Sequence, residues 1–156
     1  MAENQSNMVQ FFKGGAKGSC IQFKRSGINF CAFEITETYK EGTQDRCRWN
    51  QKIMFKLGFL DISNIALALA LSRTAKPKDN LCTLFHDNKK ANAIKNLQVV
   101  CGNNKSVGLF ITETVNKEDK KKYGIYLSEV EVYGLKMWLE ESLNHVTNEE
   151  WKRSDG

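Results

Sequence analysis

The sequence contains few of the patterns typical of metalloenzymes, secreted disulfide-rich proteins and membrane proteins. Its 156 residues include one proline, two histidines and five cysteines, an odd number without a Cys-x-x-Cys pair. Zinc sites and disulfide frameworks have other spacings, so we expect reduced, buried thiols, no metal and no cofactor. No apolar run approaches the ~20 residues that cross a bilayer, and residues 1–7 lack a signal-peptide pattern. We therefore expect an intracellular protein that does not associate with membranes.

The sequence also contains no recognisable arrangement of catalytic residues. His86 and His145 lie far apart in the sequence and belong to no metal or triad signature. Glu34, Glu37 and Glu113 are expected on strands, where no second acid or base can be placed beside them, so we expect them to pair with Lys or Arg. The chain is predicted not to be an enzyme.

Basic residues are abundant and unevenly distributed. The formal net charge is +5, and residues 1–78 carry 12 Lys and Arg against 6 Asp and Glu, whereas residues 79–156 carry 11 against 12. A basic half suggests a face that binds a polyanion. With 41% hydrophobic residues, the chain can also bury the core of one folded domain.

Segments in which apolar and polar residues alternate, bounded by turn residues, predict eight strands, four in each half of the chain. They cover 8–12, 19–25, 28–38 and 46–57, and then 81–86, 94–101, 105–115 and 121–127. The tetrapeptide Ile-Thr-Glu-Thr closes the third strand of both halves, at 35–38 and again at 111–114. Its recurrence at the same place indicates an internal duplication.

A helix is predicted after each set of four strands. Asp61 caps the first, over 62–71, whose Ala and Leu residues favour helix and leave almost no polar face. Ser128 begins the second with a Ser-x-x-Glu capping box. An apolar helix on so small a chain must be covered, so we expect a homo-oligomer that assembles through the helices.

These elements define an α+β fold of two tandem β-β-β-β-α units, with two antiparallel four-stranded sheets braced by helices. The predicted parts are a flexible N-terminus (1–7), a single domain (8–144) with units 8–72 and 81–144 joined by a linker (73–80), and a C-terminal tail (145–156).

The strand predicted over 46–57 has two different faces. One face is basic and comprises Arg46, Arg48, Asn50, Lys52 and Lys56; the other, predicted to face the core, comprises Cys47, Trp49, Ile53, Phe55 and Leu57. Cations two residues apart are separated by ~6.6 Å, close to the phosphate spacing of an extended single strand. Further residues that extend this patch are Lys13, Lys17, Gln22, Lys24 and Arg25.

Aromatic side chains near such a patch are candidates for base stacking, which contributes ~1–3 kcal/mol per base. The candidates are Phe11, Phe12, Phe30 and Tyr39, although for each of them packing in the core or the sheet is the simpler interpretation. Trp49 is interpreted as structural. Lys120, Lys121 and Lys122 are interpreted as a solvated turn, with a secondary phosphate contact as the alternative.

The stretch Tyr123-Gly-Ile-Tyr-Leu-Ser-Glu-Val-Glu-Val-Tyr-Gly-Leu-Lys-Met-Trp-Leu139 resembles the fourth strand and helix of positive cofactor four. With the tandem units, the basic first sheet and the Lys-Gly-rich turn at 13–18, the chain resembles the Whirly and positive cofactor four superfamily of single-stranded nucleic-acid binding proteins. The turn falls where Whirly proteins have a Lys-Gly-Lys-Ala-Ala-Leu motif, of which the opening Lys-Gly matches. The resemblance implies dimers or tetramers that assemble through the helices and hold single strands along sheet faces and edges.

The expected function is sequence-tolerant binding of single-stranded DNA during replication, recombination or transcription. RNA binding is an open alternative, because discrimination depends on contacts to the 2′-OH that side-chain types do not reveal. A second alternative is a protein-interaction scaffold whose basic face binds an acidic partner.

Overall fold

A computed structural model describes residues 7–14, 18–26, 30–144 and 146 of the chain. The first unit consists of β1 (Met8–Lys13), β2 (Ser19–Ser26), β3 (Phe30–Glu41), β4 (Gln44–Cys47), β5 (Ile53–Leu57) and α1 (Phe59–Leu71). The second unit consists of β6 (Asn80–Asn88), β7 (Ala93–Cys101), β8 (Val107–Val115), β9 (Asp119–Leu127) and α2 (Glu129–Ser142). The predicted N-terminus and C-terminal tail fall almost wholly outside the described residues.

Both sheets are antiparallel, and the α+β fold predicted from the sequence is confirmed. The first sheet has the order β1-β2-β3-β5, with the short β4 paired to the far end of β3, and the second has the order β6-β7-β8-β9. The two Ile-Thr-Glu-Thr segments lie in β3 and β8, the third strand of each unit.

The core lies between the inner faces of the two sheets and is completed by the helices. Phe33 and Phe55 from the first sheet, Leu109 from the second, and Ile65 and Leu135 from the helices belong to one buried cluster and have no solvent exposure. Burying each such side chain contributes about 1.5–3 kcal/mol. Because both helices pack on the inner side, the outer faces of the sheets carry no helix within the described residues.

The predicted strand 46–57 is not continuous, which corrects the sequence analysis. A 3-10 turn, Trp49–Gln51, separates β4 from β5. Cys47 of β4 pairs with Thr38 and Ile53 of β5 pairs with Ile35, so this segment advances six residues while β3 advances three. The surplus residues form the turn, and Trp49 is half-buried there instead of lying in the core.

The expectation of reduced thiols is wrong for two of the five cysteines. Cys20 on β2 and Cys47 on β4 form a disulfide across β3, with their Cα atoms 6.0 Å apart. Cys31, Cys82 and Cys101 are free. An odd number of cysteines means that at least one thiol stays free, but it does not exclude a disulfide between two of the others. The register of the strands, which the sequence did not reveal, brings Cys20 and Cys47 together.

The helix termini are set by local hydrogen bonds. α1 begins at Phe59, earlier than predicted, because Gly58 is its N-cap and Asp61 accepts a hydrogen bond from the Gly58 N–H at 3.2 Å. α2 begins as predicted: Ser128 Oγ accepts from the Glu131 N–H at 3.4 Å, and Glu131 Oε1 accepts from the Ser128 N–H at 2.9 Å. Among the described residues, neither helix has the length and apolar character of a membrane span.

Candidate nucleic-acid interface

The outer face of the first sheet collects several of the predicted binding residues. Register places Lys24, Ala32 and Lys56 in one cross-strand row and Gln22, Glu34 and Met54 in the next. We call this surface the lysine face; its members are Met8, Gln10, Phe12, Gln22, Lys24, Ala32, Glu34, Lys52, Met54 and Lys56.

Glu34 lies at the centre of the lysine face and is 1% exposed, although the face itself is open to solvent. The Lys24 ammonium lies 2.9 Å from its carboxylate, the Lys52 ammonium forms a second ion pair with it, and Gln22 donates a hydrogen bond to it at 2.6 Å. The two lysines keep over a third of their side-chain surface exposed. They are therefore anchored by Glu34 and still accessible to a ligand.

The protonation of Glu34 reflects two opposing effects. Desolvation alone would raise the pKa of the carboxyl group, but hydrogen bonds from Lys52, Gln22 and Lys24 outweigh it and hold the pKa below its usual value. Glu34 is therefore ionised at neutral pH. With Lys56, the lysine face carries three ammonium groups and one carboxylate.

Two of the four candidate stacking residues lie on the same side as the lysines. Phe12 is 50% exposed on the lysine face. Phe30 is half-buried at the start of β3, and the Lys56 ammonium lies 4.3 Å from the centre of its ring. An aromatic ring and a cation this close provide one contact for a base and one for a phosphate.

The remaining cationic candidates on 46–52 form a separate cluster around the end of β3. The Arg48 guanidinium lies over the Tyr39 ring, 4.5 Å from its centre, and 3.7 Å from Glu37. Arg46 pairs with Glu41 at 2.9 Å. Asn50 is exposed in the 3-10 turn. These cations have carboxylate partners, so they offer less free positive charge than their number suggests.

Three predicted residues do not reach the lysine face. Arg25 points to the inner side, where its guanidinium packs 5.0 Å from the Trp138 ring and donates to Ser142 Oγ at 2.9 Å. Phe11 packs against the core. Lys13 pairs with Glu131 of α2 at 2.5 Å, at the end of β1. Strand parity explains all three, because odd-numbered residues of β1 and β2 face inward. Lys17 lies outside the described residues.

The outer face of the second sheet was not predicted from the sequence. Its exposed aromatic residues, Phe85 and Tyr126, are 57% and 53% exposed, and Phe110 lies between their rows. Lys122 belongs to β9 and joins Phe85, Asn96 and Thr112 in one row, so it is not part of a turn. The signal was present in the alternation of 119–127, where Lys120, Lys122, Gly124 and Tyr126 share one side.

Comparison with known proteins gives the fold. No family model matches the chain, and no curated protein matches it. Solved structures do match: WHY3 from Arabidopsis thaliana has a TM-score of 0.67 and 15% identity over 94% of this chain and 92% of that chain. WHY1 from the same plant has a TM-score of 0.65 and 16% identity over 94% and 88%. The plant transcriptional regulator PBF-2 has a TM-score of 0.64 and 15% identity over 94% and 84%.

The chain therefore has a Whirly-like fold, as its resemblance to that superfamily implied. The order of elements accounts for this similarity, since at 15–16% identity few individual residues are shared.

Proposed function

We propose that this protein binds single-stranded DNA without strong sequence preference, as a binding protein and not as an enzyme. The observation that carries the proposal is the lysine face, an open sheet surface on which Lys24 and Lys52 flank one carboxylate and Lys56 lies in the neighbouring row. Fixed ammonium groups bind phosphates by charge and carry no base information, so the binding is sequence-tolerant.

The preference for single strands follows from the exposed rings. Phe12 on the first sheet and Phe85 and Tyr126 on the second present aromatic surface to solvent. Unpaired bases can stack on such rings, whereas bases inside a duplex cannot reach them. The combination of cations and exposed rings supports binding of single strands over binding of duplex DNA.

The Whirly-like fold supports the same function through the superfamily that the sequence resembles. Among the processes that such binding can serve, replication, recombination and transcription, the description of PBF-2 as a transcriptional regulator favours transcription.

We propose further that a second copy of the chain covers the helices. Leu60, Leu67 and Leu71 of α1 are 51%, 58% and 47% exposed. Val130, Tyr133 and Met137 of α2, spaced three and four residues apart on one side of the helix, are 79%, 56% and 50% exposed. Monomeric proteins rarely expose this much apolar surface, and self-association through the helices would bury it and leave both outer faces free.

Competition binding tests the proposed function. A labelled single-stranded oligonucleotide is displaced by unlabelled single-stranded DNA, single-stranded RNA or duplex of the same sequence, at two salt concentrations. We expect single-stranded DNA to compete at the lowest concentration and all affinities to fall at higher salt. Equal competition by duplex would contradict the proposal.

The same experiment separates the two alternatives. Stronger competition by RNA than by DNA would favour the RNA-binding function. No binding of the labelled oligonucleotide, with saturable binding of labelled polyglutamate instead, would favour a scaffold with an acidic protein partner.

A further inference from the structure

The ring of Phe110 lies directly against the backbone of two neighbouring strands. A Cβ atom added to Gly108 on β8 would lie 2.6 Å from its Cε2, and one added to Gly124 on β9 would overlap its Cδ1 and Cε1. Any side chain at either position would therefore push the ring off the sheet. Glycine inside a strand often marks such a close approach, and here it lets one side of the ring rest on the backbone.

The Phe110 ring also borders a cleft of about 560 Å³ at the junction of the two sheets. The cleft is lined by Lys13, Ser19, Phe110, Lys122, Gly124, Ile125 and Tyr126. Ser19 joins the sheets there, because its Oγ donates to the Gly124 carbonyl at 2.6 Å. The Tyr126 ring meets Phe110 edge-on at 81°, with 5.5 Å between ring centres. The cleft is therefore lined by two aromatic rings.

Two cations lie at the cleft. The Lys122 ammonium is 5.5 Å from the centre of the Phe110 ring and has no acidic partner among the described residues. Lys13 is held by Glu131. Two aromatic rings and an ammonium without an acidic partner match a planar base that is followed by a phosphate.

We propose that this cleft is a nucleobase-binding site: one base of a bound single strand stacks on Phe110 beside Tyr126, and Lys122 binds the adjacent phosphate. The site rests on the proposed function and adds to it a defined contact for a base. Its two rings and Lys122 belong to the second sheet. The concentration of basic residues in the first half of the sequence did not predict a binding site there.

The duplicated sequence shows how the two sheets divide these roles. Glu34 and Phe110 both immediately precede an Ile-Thr-Glu-Thr segment, and both pair with a glutamine on the second strand of their unit, Gln22 or Gln98. At this shared position the first unit has a carboxylate that anchors two lysines, and the second unit has a ring. Phosphate contacts therefore predominate on the first sheet and the base contact on the second.

The test compares variants of the full chain for binding to a short oligodeoxythymidylate and to an abasic strand of equal length. Phe110→Leu keeps an apolar side chain and removes the aromatic ring. We expect its affinity for the oligodeoxythymidylate to fall about fivefold or more, and its affinity for the abasic strand and its salt dependence to stay at the parent's values. Phe59→Leu, which removes a ring packed against the core at the start of α1, is the matched control and should bind like the parent.

Gly124→Ala provides a second variant, which displaces the Phe110 ring without replacing it. We expect it to lose the same base-dependent affinity while thermal unfolding shows that the fold is retained. Should either variant fail to fold, photo-crosslinking of a 5-iodouracil strand to the parent protein tests the same contact, and the crosslink is expected at Phe110 or Tyr126.

The outcomes separate the two proposals. A parent protein that binds neither strand would overturn the proposed function and the base site together. A parent that binds, with both variants showing undiminished preference for the oligodeoxythymidylate or with crosslinks only outside the cleft, would overturn the base site and leave the proposed function standing.

Discussion

Glu34 determines how the lysines of the first sheet are arranged. Its carboxylate is buried by its own partners, Lys24, Lys52 and Gln22, instead of by the core. The predicted pairing of this glutamate with Lys or Arg is confirmed. Which lysines it would meet could not be predicted, because cross-strand neighbours depend on the register of three strands.

The lowered pKa of Glu34 predicts a loss of stability in acid. A carboxyl group with a folded-state pKa below its unfolded value stabilises the fold above the unfolded pKa, about 4.3, and this contribution is lost as the pH falls through the folded pKa. Urea unfolding across acidic pH should show the free energy of unfolding decreasing in this window, less steeply in Glu34→Gln. A Glu34→Gln profile as steep as the parent's, while Glu37→Gln flattens it, would contradict this.

Removal of the same charge should strengthen binding. In Glu34→Gln, Lys24 and Lys52 lose their carboxylate partner and become fully available to phosphates, so we expect tighter binding of single strands and a steeper salt dependence. The lost charged hydrogen bonds should reduce the free energy of unfolding by about 1–3 kcal/mol. Glu140→Gln, which removes a carboxylate paired with Lys136 on α2, controls for net charge. Equal gains in both variants would show that Glu34 has no particular role.

Among the elements, regular strands and helices were predictable and their interruption was not. Alternation located β2, β7, β8 and β9 to within a few residues, and the capping box located the start of α2. The division of 46–57 into β4 and β5 was missed because it depends on how two short strands pair with opposite ends of β3. A continuous alternating pattern does not reveal such a mismatch.

The disulfide between β2 and β4 belongs to the same local arrangement. Cys20 and Cys47 are 27 residues apart in the sequence, and closing a loop of this size stabilises a fold by about 3.5 kcal/mol in the chain-entropy account. Denaturant unfolding with and without a reductant should show this difference in the parent. The double variant Cys20→Ser, Cys47→Ser should be insensitive to the reductant. A parent that unfolds identically in both conditions would contradict the prediction.

In the whole molecule, the helices and the sheets form different parts of the surface. The helices fill the space between the inner faces, and hydrogen bonds such as Tyr123 to the Gln51 carbonyl join the sheets at 3.1 Å. Side chains on both outer faces and on the exposed sides of the helices are open to solvent. The sequence predicted the basic surface because charge is concentrated in the first half, but it did not predict the aromatic surface, whose residues become neighbours only across strands.

Variants of two leucines of α1 test assembly and folding separately. Leu67 is 58% exposed and Leu69 is 1% exposed, although only one residue lies between them. Leu67→Glu should therefore give a smaller particle in light scattering with an unchanged thermal transition. Leu69→Glu buries a charge in the core and should unfold the protein. If Leu67→Glu retains the parent's mass, the helices are not the assembly surface.

The central claim, that the lysine face binds the phosphates of a single strand, is tested most directly by the salt dependence of a triple variant. We expect a flatter slope of log affinity against log salt in the triple variant Lys24→Ala, Lys52→Ala, Lys56→Ala. Each phosphate neutralised on a single strand contributes about 0.7 to the slope, so the loss of three such contacts should reduce its magnitude by about 2. The control Lys76→Ala, Lys89→Ala, Lys90→Ala removes equal charge from exposed turns and should keep the parent's slope. A folded lysine-face variant with the parent's affinity and slope would contradict the account.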